Sequence, residues 1–133
     1  MRAALLTTCT AEKSSQPGLL PAAERYRGWR VDAARAAALD AQAPLLFLSG
    51  VYGIVPATRP LPWYDHALQP GEVEEMIGPC AAQLAALGVV SLTALLLPVC
   101  TPGWSPYHRL LTASCRRAGV RCAVVLLEPP GGA

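Results

Sequence analysis

Residues 43–68 read APLLFLSGVYGIVPATRPLPWYDHAL. The run from Leu45 to Ser49 is apolar without alternation, which suits a strand covered on both faces. The segment that follows, 49–71, holds prolines at 56, 60, 62 and 70 and three large aromatics, Tyr52, Trp63 and Tyr64, with no helical period. Connections this long without secondary structure are uncommon and are usually functional or disordered. Disordered segments are poor in aromatics. The expectation is a buried parallel strand followed by a long, ordered, functional loop over 49–71.

Working outward, three more apolar, branched runs read as strands: Ala3 to Thr8, Ser91 to Val99 and Arg121 to Glu128. Helical patterns separate them. The first covers Pro21 to Leu39, with Tyr26, Trp29, Ala33 and Ala37 towards one face and Asp32 one turn from Arg35. The second places Val73, Ile77, Cys80, Leu84 and Leu87 at a 3.6 period, with Glu72, Glu74 and Glu75 at its positive end and Gly88 to stop it. Pro79 predicts a kink or a restart there. The third opens on Ser105 as N-cap and Pro106 at N1, and closes on Arg116, Arg117 and Gly119. Strands alternating with helices predict one α/β domain over 1–133. It has three layers, with a four-stranded, mainly parallel sheet, helices on both faces and right-handed crossovers.

Composition sets further bounds. At 133 residues the chain is long enough for one core, and 53% apolar residues leave room for a homo-oligomer. A net charge of +2 does not by itself argue for nucleic acid. The five cysteines form no C-x-x-C pair, so no metal site is expected. With no secretory signal and no apolar run of membrane-spanning length, a cytoplasmic protein is expected. There are ten arginines against a single lysine, Lys13, which therefore stands out.

Ligands of parallel sheets sit beyond the carboxyl ends of the strands. There the sequence supplies Cys9, Thr10, Lys13 and Ser14 after the first strand. Ser49, Gly50, Tyr52, Gly53, Trp63, Tyr64, Asp65 and His66 follow the second. Trp104 and Tyr107 follow the third, and Glu128 the fourth. Aromatic faces, hydroxyls, one cation and a carboxylate suit a flat, polar, anionic ligand such as a nucleotide, because bases stack on aromatic rings.

These residues resemble a family. CTAEKSS (9–15), AAERYRG (22–28), LSGVYGIV (48–55), the P-WYD of 62–65 and a Tyr opening a late helix are similar to the YaaA group. That group comprises the peroxide-stress protein and its shorter relatives. The resemblance implies a nucleotide- or DNA-related role with a core like that of base-excision glycosylases. The positions that match are Cys9, Lys13, Tyr26, Ser49, Gly50, Tyr52, Gly53, Tyr64 and Asp65. Trp63, between Pro62 and Tyr64, departs from the pattern.

Each residue carries a plainer reading beside the chemical one. Lys13 reads as a phosphate ligand, a Schiff-base lysine or a solvated loop residue. Cys9 reads as a nucleophile or a small buried hydrophobe. Ser49-Gly50 offers backbone amides to a ligand or turns the chain. Asp65 assists water or caps a turn. Arg25, Arg27 and Arg30 read as a solvated face or, with aromatics between them, as phosphate contacts. The leading expectation is a binder of a nucleobase-containing small molecule or single-stranded nucleic acid, with Lys13, Asp65 and Cys9 as catalytic candidates for N-glycosidic cleavage and no cofactor. A non-catalytic DNA-binding stress protein and a lysine enzyme acting on a carbonyl are the alternatives.

Overall fold

In the computed structural model, which describes residues 2–130, the run Ala3–Thr8 forms strand β1 at the centre of a five-stranded sheet. After it come a short strand β2 (Leu20–Pro21), a one-turn helix α1 (Ala22–Arg25) and helix α2 (Trp29–Ala41). Strand β3 (Leu45–Ser49) leads into β4 (Gly53–Pro56) and β5 (Pro60–Leu61). A 3₁₀ turn at Pro70–Glu72 introduces α3 (Val73–Ala86). Strand β6 (Ser91–Leu96), α4 (Ser105–Ala118) and β7 (Arg121–Leu126) complete the chain.

The sheet order is β4-β3-β1-β6-β7. β1 pairs in parallel with β3 and β6, and β6 with β7, while β4 runs antiparallel to β3. The crossover through α2 moves one way from β1, and those through α3 and α4 move the other way. Right-handed connections therefore put α2 on one face and the α3–α4 pair on the opposite face. The core between them holds Leu6, Leu46, Phe47, Leu48, Leu84, Leu92, Leu96 and Leu110, all at 2% exposure or less.

The sheet has five strands rather than the expected four, and the fifth lies inside 49–71. Gly53 turns the chain at φ +73°, and Ile54 and Val55 are buried against the edge of β3. Gln83 of α3 holds this hairpin: its Oε1 accepts the Ile54 N–H at 2.7 Å and its Nε2 donates to the Tyr52 carbonyl at 2.9 Å. β5 pairs with β2 in a second small sheet. The expected long, ordered loop thus contains an edge strand, a short bridge and a connecting segment.

The expected helix over 21–39 is broken. Tyr26 is extended and Gly28 sits at φ +119°, so the chain restarts at Trp29. The buried face of α2 is Arg30, Val31, Ala34 and Ala38, one residue out of step with the face anticipated. Asp32 and Arg35 form no ion pair, and Arg35 donates to the Ala23 carbonyl instead. α3 runs unbroken through Pro79. α4 carries Pro106 in its first turn, but Ser105 makes no capping bond. No helix among the described residues is long and apolar enough to cross a membrane.

Candidate functional site

The segment after β1 is laced to the α1–α2 junction. Ser14 N–H donates to the Arg25 carbonyl at 2.8 Å, and Arg27 N–H to the Glu12 carbonyl at 3.1 Å. The Thr10 hydroxyl donates to the Glu12 carbonyl at 2.6 Å and accepts the Arg27 N–H at 3.2 Å. This fixes Lys13. Its Nζ donates to the Thr10 carbonyl at 2.5 Å and stands 4.8 Å from the centre of the Tyr64 ring. Both contacts suit an ammonium ion.

Beneath Lys13 lies a cluster of hydroxyls. Tyr64 bonds to Tyr26 at 2.5 Å and to Ser49 at 2.7 Å. The Ser49 hydroxyl also accepts the N–H groups of Val51 and Tyr52, both at 3.1 Å. Tyr52 packs edge-on against Tyr64. Ser49 and Tyr26 are buried, so their polar atoms serve the protein's own network. Burial pushes the Tyr26 phenol up to about 12, and raises Tyr64 and Tyr107 as well. Gly50 is set by space: a side chain there would stand 2.8 Å from the Leu68 nitrogen.

Two adjoining clefts open beside this cluster. The smaller, about 80 Å³, is bounded by Cys9, Thr10, Lys13, Asp65, His66 and Tyr107. Tyr107 is its hinge, with its hydroxyl 3.4 Å from the Cys9 sulfur and accepting the Leu68 N–H at 2.9 Å. His66 pairs with Glu72 at 2.8 Å. The Gln69 N–H and then His66 hold that carboxyl below its ordinary value. The larger cleft, about 450 Å³, shares Cys9, Thr10 and Tyr107 with the first and adds Arg27, Trp29, Arg30 and Trp104.

The structure therefore brings Cys9, Thr10, Lys13, Asp65, Trp104 and Tyr107 to the walls of two neighbouring clefts. Ser49, Gly50, Tyr52, Gly53 and Tyr64 form the supporting layer and line neither cleft. Ser14 and Tyr26 border a third hollow between α1 and α2. Trp63 is 57% exposed, and Glu128, beyond the end of β7, is exposed; neither reaches the clefts. No group of three or more His, Cys, Asp or Glu among the described residues is arranged to hold a metal.

Two residues read from sequence as a solvated face are buried. Arg25, at 0% exposure, donates to the carbonyls of Ser14, Gln16, Gly18 and Leu61. It ties the 14–18 segment to β5. Arg30, at 8% exposure, lies over the Trp104 ring at 4.8 Å and borders the larger cleft. Burial lowers its pKa from the ordinary arginine value. The signal available in sequence was its place next to Trp29, opening a helix at the strand carboxyl edge.

Comparison with protein-family models finds no match, and comparisons with curated proteins and with solved structures find none either.

Proposed function

We propose that this protein binds a small, anionic, nucleobase-containing ligand across the two clefts at the carboxyl ends of β1 and β6. The observation that carries this reading is that the two clefts adjoin, with Cys9, Thr10 and Tyr107 in the walls of both. About 450 Å³ between Trp29 and Trp104 accepts a flat ring with its sugar. The smaller cleft then meets the ligand's other end with an ammonium, a carboxylate and a thiol. The motif resemblance to the YaaA group points to the same ligand class.

Hydrolysis of an N-glycosidic bond suits this set. Water adds its oxygen to the anomeric carbon, the base departs with the bonding pair, and a proton passes to the base. Asp65 is the carboxylate placed to assist the water, and Lys13 holds negative charge nearby. Mass spectrometry of products from nucleosides, nucleotides and single-stranded DNA tests the step. Released base from one of these, lost in Asp65→Asn, is the expected result. No released base from any of them removes the enzymatic part and leaves the binding part to stand on affinity alone.

A further inference from the structure

We propose that Arg30, at the start of α2, forms an anion subsite in the larger cleft and takes a phosphate group of the ligand. The assignment rests on the cleft being a ligand site, as argued above, but it has its own evidence.

A buried guanidinium is costly unless its charge is met. Arg30 makes three hydrogen bonds, all to neutral oxygens. Nη1 donates to the Thr7 hydroxyl and the Thr8 carbonyl, both at 2.9 Å, and Nη2 donates to the Cys9 carbonyl at 3.2 Å. No carboxylate pairs with it among the described residues, although Glu12 borders the same cleft. A guanidinium has five N–H donors. Nε and one N–H of Nη2 are therefore uncommitted.

Arg25 is the internal comparison. It is also buried, at 0% exposure against 8%, yet its Nε, Nη1 and Nη2 make five bonds to backbone carbonyls, and it lines neither strand-end cleft. One arginine is used up by the fold, and the other is half used and faces a cavity. The backbone adds to the second. Gly28, Trp29 and Arg30 all border the cleft, and α2 has no side-chain cap. The positive end of its dipole thus lies at the cleft wall. Phosphate, sulfate and carboxylate all accept from a guanidinium edge at the positive end of a helix, and the nucleotide reading above selects phosphate. Trp104 covers one face of the Arg30 guanidinium.

The test titrates the intact protein with inorganic pyrophosphate and follows the arginine Nε–H signals by NMR. A saturable shift of the Arg30 signal is expected. Affinity should fall at least tenfold in Arg30→Gln, less in Arg30→Lys, and stay unchanged in Arg35→Gln on the exposed side of the same helix. Should Arg30→Gln fail to fold, the wild-type NMR titration still decides. No saturable binding, or binding that moves other arginines and leaves Arg30 still, overturns the assignment. Nucleoside and nucleoside monophosphate arms separate the two proposals. If pyrophosphate binds at Arg30 and a nucleoside adds nothing, the nucleobase reading falls and the subsite stands. If a nucleotide binds with Arg30 unmoved, the reverse holds.

Discussion

Tyr26 ends α1 with its hydroxyl out of water and against Tyr64. Burial raises its pKa to about 12 from the ordinary 10.0, so the folded state holds this proton more tightly than the unfolded chain. The corresponding stability is complete below pH 10 and is lost as pH rises through about 12. At about 1.4 kcal/mol per pK unit the loss is on the order of 3 kcal/mol. Melting temperatures between pH 9 and 12 should fall steeply. Tyr26→Phe should make that limb shallower, with Tyr64 and Tyr107 still contributing to it, while costing about 1 kcal/mol at neutral pH for the lost hydrogen bond. An unchanged limb in the variant would refute the assignment. Gly50 makes a second case at this scale. A Cβ there meets the Leu68 nitrogen and Cα, and the Leu68 N–H is already bonded to Tyr107. Gly50→Ala should cost about 1–3 kcal/mol in urea unfolding, since the backbone around Leu68 must move. The motif Leu-Ser-Gly-x-Tyr-Gly was visible in sequence, but its physical use was not. Ser49 closes a local turn and holds Tyr64, and Gly50 yields space to a strand-end loop. The burial of Arg25 and Arg30 was unreadable for a related reason: which carbonyls converge on a side chain depends on where three segments meet.

At the scale of elements, β1 and β3 kept the boundaries their apolar runs suggested, because strands buried on both faces leave an unbroken signal. β4 was hidden. Its four residues sit among prolines and glycines, and its strand character comes from pairing with β3 and from Gln83 on α3. The α1–α2 break was legible only as Gly28, a residue that helices also tolerate. The joint between α4 and β7 carries a prediction of its own. Cys115 is buried near the end of α4, Cys122 lies in the exposed β7, and the two thiols shift each other's titration. The neighbouring thiol raises the Cys115 pKa, with burial adding to it, and Cys115 lowers that of Cys122. A thiolate reacts and a thiol does not. Iodoacetamide labelling of Cys122, read by peptide mapping, should therefore begin at lower pH than in a Cys115→Ala variant, where the neighbouring thiol is gone. Equal pH midpoints in the two proteins would contradict the contact.

For the whole molecule, the strand-end rule located the clefts, because a parallel sheet gathers its loops on one edge whatever the details of each loop. It could not tell which loop residues face a cavity and which face the core. Tyr26 and Ser49 turned inward, while Cys9, Lys13 and Asp65 stayed at a wall. The same geometry separates the leading reading from a nucleic-acid track. The net charge is only +2, and the cations at the clefts are Lys13, Arg27 and Arg30. Three cations on a single strand give a slope of log affinity against log salt of about −2, at roughly −0.7 per phosphate. Binding of a short oligothymidine should therefore weaken gently between low and physiological salt, and a mononucleotide should show a shallower slope still. Fluorescence anisotropy across a salt series measures both. A slope of about −4 or steeper would mean that phosphates are held well beyond the clefts, which Lys13, Arg27 and Arg30 alone cannot supply. The protein would then be a binder of strands, with a basic surface outside the site described.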